Sequence, residues 1–396
     1  MAGVFSTPND RIFYGCHGVW YKSRTTTQTG GNDPISGTSF LKGVQSVGVN
    51  TNPGERNSFL DVGRMSQTFG SYGKPSYEIN ISRVIHKAGD FFYNVSSAGG
   101  GSAEARYENG HILSTKTSHT IGNCGASNRL KNYDIALVVG EDNASYLGES
   151  SSTFQTKIYR CCLLTSISYD IPLDGPVTEN LTFTTGIYTQ DNSSPPGAGF
   201  THSEDVVTRS DIQTSLCEFP EEVERMFNLG TSQAGIPIYG LDNINISATI
   251  NYNQLIDVGQ WRGSGNDRAE QNVYTYVQLP VEVTASFSGV LRAQYRTQSA
   301  QDHEMTDIYF TKSDGTESGE DNYKTDRSII IVANADSGNY FQWNLGDRNF
   351  VDNMSFSGAD TSGGNRQGEV SFRNESSEIF LLKGSSVLDF TNTNIY

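Results

Sequence analysis

Six histidines and five cysteines, with several acidic runs, are the residues of this chain from which catalysis or metal binding could be built. Their spacing suits neither. His17, His86, His111, His119, His202 and His303 are scattered, and none sits in the HxxxH or HxH spacing that lets two imidazoles reach one ion, so structural or surface roles are expected. Cys16, Cys124, Cys161, Cys162 and Cys217 are odd in number and lack metal-ligand spacing, which points to free, mostly buried thiols. Adjacent Cys161 and Cys162 would face opposite sides of a strand and so make a poor ligand pair. The chain contains no GxSxG elbow, Walker loop or GxGxxG. The expectation is a protein that is not an enzyme and takes no cofactor.

Three other clusters invite chemistry and are better read as turns. The stretch Ser313 to Asp321 is acidic, but its acids and glycines miss the positions an EF-hand loop requires. Asp61 and Asp257 form a tempting carboxylate couple, yet each ends a candidate strand beside glycine, where Asp commonly bonds its own backbone. Gly99, Gly100 and Gly101 are not followed by Lys-Ser/Thr and read as a surface loop, not a phosphate cradle.

The composition says what kind of surface these residues sit in. Charged residues are 18% of the 396, the polar fraction is rich in Ser, Thr, Asn and Gly, and there are 20 Tyr and 20 Phe. This suits strands and turns better than long surface helices, which draw on Glu and Lys. The formal charge of −16 argues against gripping nucleic acid, which needs clustered Lys and Arg to displace counterions. No apolar run approaches the roughly 20 residues that cross a bilayer, so no membrane partner is expected. The opening MAGVFSTPNDRIFYG has neither the basic nor the apolar region of a signal peptide, which gives cytoplasmic synthesis as the expectation.

The chain also states one pattern twice. GVQSVGVNTN from Gly43 answers GLDNINISATINYN from Gly240, with Val44/Leu241, Val47/Ile244 and Val49/Ile246 at a constant offset. A one-residue slip aligns LDVG at Leu60 with IDVG at Ile256, and Tyr77-Glu78-Ile79 aligns with Val281-Glu282-Val283. Farther on, Ser166 to Tyr169 answers Asn353 to Phe356, and Asn180 to Phe183 answers Glu369 to Phe372. The period is too long for a solenoid, so a duplicated domain is the simplest reading.

Alternation then assigns faces. Ile244, Ile246 and Ala248 share one side of a strand, with Asn245, Ser247 and Thr249 on the other; Val47 and Val49 likewise oppose Asn50. Ile79 and Ile81 oppose Glu78, Asn80 and Ser82, and Val283 and Ala285 oppose Glu282, Thr284 and Ser286. These ten polar residues are predicted to share a wet face, with Glu78 and Glu282 at equivalent points. Ile135 to Val139 and Ile329 to Val332 read as buried strands. Helical spacing of Val84, Ile85, Ala88, Phe91 and Phe92 predicts a short helix over the apolar side, and Pro220 to Phe227 predicts another. The resulting organisation is an arm over 1–36 holding a short candidate strand from Ile12 to Tyr21, a first copy over 37–190, a connector over 191–234 and a second copy over 235–396, with the arm either unstructured or folded on a neighbouring subunit.

Several of these segments resemble the tail tube proteins of long-tailed bacteriophages: DRIFYGCHGVW, GVQSVGVNTN with FLDVGR and PSYEINISRVI, and SISYDIPLDGPVTENLTFTTG from Ser166. The resemblance covers the first 190 residues and reaches the second half through the repeat. It implies a mainly β fold, a β-sandwich with a flanking short helix in two tandem tube-like domains, whose long hairpins, here 43–82 and 240–286, join those of neighbours in a β-barrel. A duplicated subunit would complete a pseudo-sixfold ring with three chains. The ten wet-face residues would line its lumen, through which genomic DNA passes without specific binding.

The implied partners are copies of the chain itself and other tail proteins, namely tape measure, terminator, baseplate and a possible sheath. The implied location is the virion, after assembly in the host cytoplasm. Two alternatives remain open at this stage. One is another tail component of the same fold, a terminator or distal tail protein forming a single ring. The other is a tandem β-sandwich adhesin that binds host glycans on aromatic loops such as those holding Tyr239, Trp261 and Tyr274.

Overall fold

The computed structural model describes residues 17–24, 39–54, 56–59, 62, 69–72, 75–86, 132–140, 154–191, 241–255, 274–278, 281–290, 330–334, 340–345, 349–357, 367–374 and 380–384. The protein is nearly all β, with no helix among the described residues. In the first half the strands are β1 (His17–Arg24), β2 (Ser39–Phe40), β3 (Val44–Asn52), β4 (Arg56–Phe59), β5 (Phe69–Tyr72), β6 (Ser76–Val84), β7 (Asn132–Gly140), β8 (Phe154–Pro172), β9 (Thr178–Thr185) and β10 (Ile187–Asp191). In the second they are β11 (Leu241–Thr249), β12 (Tyr252–Leu255), β13 (Tyr274–Val277), β14 (Glu282–Val290), β15 (Ile330–Asn334), β16 (Tyr340–Asn344), β17 (Asn349–Ser357), β18 (Gln367–Asn374) and β19 (Phe380–Gly384).

Antiparallel pairing links eight of these strands in the order β3-β6-β9-β8-β11-β14-β18-β17. The first four come from one copy and the last four from the other, and the order is the same in both: β3 corresponds to β11, β6 to β14, β9 to β18 and the second half of β8 to β17. Irregularities recur at matching points. The ladder slips between Val44 and Ser46 and again between Leu241 and Asn243. It slips also between Leu164 and Ser166 and again between Val351 and Asn353. Bulges re-aim a strand and are built features of a fold, so their repetition ties the two copies together beyond their sequence likeness.

At 19 residues β8 is long enough to serve two layers. Its second half lies between β9 and β11, while its first half lies between β10 and β7, and β1 and β2 follow outward from β7. The second copy repeats this arrangement, with β16 between β15 and β19 just before β17 begins. Between β3 and β6 the chain makes a small hairpin, β4 with β5, and between β11 and β14 it makes another, β12 with β13.

The apolar sides of the strands meet in one core. Ile79, Ile81, Phe183, Ile167 and Tyr169 join Ile246, Val283, Phe287, Val370 and Phe372 there, all buried. Trp343 of β16 meets Tyr169 edge-on at 5.7 Å, and Tyr133 of β7 meets Phe183 at 5.9 Å, so the smaller strand groups cover the large sheet's apolar face. Each such aromatic contributes about 1.5–3 kcal/mol by burial. A second cluster, Trp20 with Ala136, Val138 and Ile158, fills the other side of β7, where Phe40 packs at 5.1 Å from Trp20.

Within the core of the first copy lies an ion pair. Arg83 Nε donates to Glu179 Oε2, and Tyr169 Oη donates to Glu179 Oε1 at 2.7 Å; all three are buried. Burial disfavours the Arg83 charge, yet the adjacent Glu179 carboxylate and its hydrogen bond hold the Arg83 pKa above its ordinary value. Burial, and then the same carboxylate, push the Tyr169 phenol well up.

Several expectations change. Within the segment read as an N-terminal arm, residues 17–24 are β1 and lie along β7 of the same chain, with Val19 and Trp20 buried. The helix expected to begin at Val84 does not begin there: Val84 closes β6, and Ile85 N donates to Val177 O at 3.0 Å. Residues 87–92, the Pro220 to Phe227 segment, the glycine run at 99–101, the acidic loop at 313–321, Asp61 and Asp257 lie outside the described residues. The strands expected at Ile135 to Val139 and Ile329 to Val332 are β7 and β15, although β15 begins one residue later.

Candidate functional site

The face of the eight-stranded sheet opposite the core is mostly polar, with Phe350 at the β17 edge and Leu163 of β8 its apolar exceptions, and this surface is the candidate site. It arises because each strand alternates with period two and all eight are in phase. One transverse row runs Ser46, Ser82, Asn180, Ser168, Ser247, Thr284 and Arg373. The next runs Gly48, Asn80, Thr182, Ser166, Thr249 and Glu282. A third contains Asp170, Asn245, Ser286, Ser371 and Asn353.

All ten residues singled out by alternation, namely Asn50, Glu78, Asn80, Ser82, Asn245, Ser247, Thr249, Glu282, Thr284 and Ser286, lie on this face. Some of them bond to one another. Asn50 Nδ2 and Asn80 Nδ2 both donate to Glu78 Oε1, at 3.2 and 3.0 Å, and Thr182 Oγ1 donates to Asn80 Oδ1 at 2.9 Å. Ser247 Oγ and Thr284 Oγ1 are 2.6 Å apart. These contacts tie Asn50, Glu78, Asn80 and Thr182 into one network and Ser247 to Thr284.

The expected equivalence of Glu78 and Glu282 is not what the ladders show. Asn50 pairs with Glu78 and its counterpart Ser247 pairs with Thr284, so Glu78 corresponds to Thr284 and Glu282 corresponds to Ser76. A shift of two residues preserves the face and therefore leaves the period-two pattern unchanged, which is why alternation alone could not detect it. Glu78 and Glu282 stand on β6 and β14, separated by β9, β8 and β11, or about 19 Å at the usual strand spacing.

Alternation also missed half of the face. Asp170, Ser166 and Ser168 of β8, Asn180, Thr182 and Thr184 of β9, and Glu369, Ser371 and Arg373 of β18 belong to it. The same period-two test applied to 166–170, 180–184 and 369–373 would have found them. Its charge is acidic: Glu78, Asp170, Glu282 and Glu369 face one guanidinium, Arg373, which sits 3.7 Å from Asp352 and 5.0 Å from the Phe350 ring centroid. Among the described residues no group of three or more His, Cys, Asp or Glu is placed to hold a metal ion. Cys162 is buried and in no disulfide, and its Sγ donates to Tyr159 O at 3.3 Å.

No family model matches the chain, and no curated protein does. Among solved structures it is similar to a chain from "Virion of native gene transfer agent (GTA) particle", at 12% identity over 40% of this chain and 96% of that one, with a TM-score of 0.23. A likeness this slight carries no argument about fold or role.

Proposed function

We propose that the chain is a structural virion protein, a tail tube subunit, with its two copies occupying adjacent positions of one pseudo-sixfold ring built from three chains. One observation carries this reading: a mostly polar face, acidic on balance and free of a basic patch among the described residues, spans eight strands drawn equally from both copies. An open sheet of that length, with edges at β3 and β17 among the described residues, is stabilised by closing on itself, since closure leaves no strand edge unpaired.

In a closed ring the polar face would be the wall of a channel. Serine, threonine and asparagine wet such a wall, and its carboxylates repel phosphate, so duplex DNA would slide along it without adhering. Stacked rings would make the conduit for genome ejection, in contact with other tail proteins at the ends of the stack and, in a contractile tail, with a sheath outside. The reading assigns no catalysis and no cofactor. Electron microscopy of the purified protein tests it directly. Rings of three chains with a central channel, or tubes built from them, are expected; a protein that forms neither across a range of salt and concentration removes the reading.

A further inference from the structure

We infer that the buried Arg83–Glu179 pair keeps the two like copies from exchanging strands: it admits β9 beside β6 and shuts out β18, the strand that answers β9 in the second copy. This stands apart from the ring reading, since it concerns which strand of the chain pairs with which. Two copies with one strand order and one set of bulges give a folding chain two ways to build each half. β9 lies between β6 and β8, and β18 lies between β14 and β17. Exchanging β9 and β18, within one chain or between two, leaves every other strand in its place.

Most rows tolerate the exchange. β6 meets β9 with Ile79 opposite Phe183, Asn80 opposite Thr182 and Ile81 opposite Leu181. β18 in the same register would set Phe372, Ser371 and Val370 against those three, core against core and polar face against polar face. It would also set Arg373 opposite Glu78, where β9 offers Thr184, and opposite charges across two strands are favourable. The reverse half is as permissive. β9 beside β14 would set Phe183 opposite Ala285, Thr182 opposite Ser286 and Leu181 opposite Phe287, in the places of Phe372, Ser371 and Val370. Alternation therefore does not tell the copies apart.

One row does. Arg83 of β6, Glu179 of β9 and Tyr169 of β8 stand in register and are 3%, 0% and 0% exposed. Glu179 accepts from Arg83 Nε at one carboxylate oxygen and from Tyr169 Oη, at 2.7 Å, at the other. The matching row of the second copy is Gly289, Gly368 and Phe356, with neither a charge nor a phenol. Exchange would put Gly368 between Arg83 and Tyr169, and Glu179 beside Gly289. Each copy would then bury one charge without its counter-ion. A buried pair gains little over an apolar pair of similar size, whereas a buried charge without its partner is strongly unfavourable. The pair thus adds little to the correct structure and weighs heavily against the exchanged one.

Refolding of the full chain from urea, followed by mild oxidation and mass spectrometry of disulfide-linked peptides, tests this. Ser82→Cys with Asn180→Cys reports the observed pairing, in which those residues are opposite each other. Ser82→Cys with Glu369→Cys reports the exchanged one. With Arg83 and Glu179 present, the first reporter should close and the second should stay at the background set by Ser82→Cys alone. Adding Arg83→Met with Glu179→Leu should raise the second reporter several-fold. Arg83→Gln with Glu179→Gln, which removes the charges but keeps hydrogen-bonding groups, should raise it too. Ile79→Val with the pair intact should leave it at background, which separates lost discrimination from lost stability. The inference is overturned if the second reporter stays at background in both charge-free variants while the first closes, or if it is equally high with the pair present. Failure of both charge-free variants to refold also overturns it, because the pair would then hold the core together instead of sorting its strands.

Discussion

Arg83 and Glu179 face each other across β6 and β9 in the core of the first copy, and the residues that take their places in the second, Gly289 and Gly368, are both glycines. Tyr169, the third member of the buried group, is answered by Phe356. Two copies with one strand order, one set of bulges and one polar face therefore differ at the middle of their cores, where the first buries two charges and a phenol. A buried ion pair is weak evidence for stability, because desolvation offsets most of the Coulomb gain, but breaking it leaves an uncompensated charge.

Glu179→Leu or Arg83→Met alone should accordingly cost about 3–5 kcal/mol, and the double variant should recover most of that loss. Urea unfolding of the unassembled chain reads both. Single variants within about 1 kcal/mol of wild type would mean that water or another group already compensates the pair.

Tyr133, Tyr169 and Tyr252 carry an alkaline dependence. Burial pushes each phenol above its ordinary value, with nearby phenols adding to the shift at Tyr133 and the Glu179 carboxylate adding to it at Tyr169. A phenol whose folded pKa lies above the unfolded value of about 10 is favoured neutral by the fold. Its contribution is fully present below that pH and is lost as pH rises toward the folded value. Tyrosinate absorbance followed with circular dichroism should show these residues ionising only as the β signal collapses. Titration of all 20 tyrosines near the ordinary pKa with the β signal intact would contradict their burial.

Much of this was legible in the residues, and what was not has a common cause. Offsets that aligned Val47 with Ile244, Ser166 with Asn353 and Phe183 with Phe372 are those of the ladders, because each run carries more than bare alternation. The pairing of Glu78 with Glu282 slipped by two because acidic and small polar residues on a wet face are interchangeable under a period of two. Arg83 and Glu179 have the parity of Ile79 and Leu181, a sign of burial that the sequence reading passed over; matching each to the other needed β6 beside β9, a pairing between residues 96 apart. The passage of β8 from one layer to the other, and its meeting with β11, are likewise long-range pairings on which local pattern is silent.

Gly43, in the turn before β3, and Gly48, within β3, make a contrasting pair. Gly43 has φ of 77°, and a Cβ there would stand 2.1 Å from Val84 O, at the point where Val84 N donates to Gly43 O at 2.8 Å. Gly43→Ala should cost about 1–3 kcal/mol from the backbone conformation alone and more from the clash. At Gly48 an added Cβ meets nothing within 4 Å, so Gly48→Ala should be neutral or stabilising by up to about 1 kcal/mol. Thermal unfolding of the two variants side by side decides it; equal losses would mean that the β3–β6 register differs from the one described.

Replacing Glu78 and Glu282 by lysine separates wall from core. Both side chains are exposed on the polar face, and among the described residues Glu78 is held by the amides of Asn50 and Asn80, so stability should move by no more than about 0.5 kcal/mol and rings should still form. If that face lines a channel, each chain then presents two cations to passing phosphates, and three chains repeat them around the ring at every level of the stack. DNA release from particles built with the variant should slow, and the slowing should shrink as salt rises, because contacts to phosphate weaken with counterion concentration. Loss of ring assembly would place these side chains in packing between subunits, and unchanged release at low salt would take the polar face out of the path of the DNA.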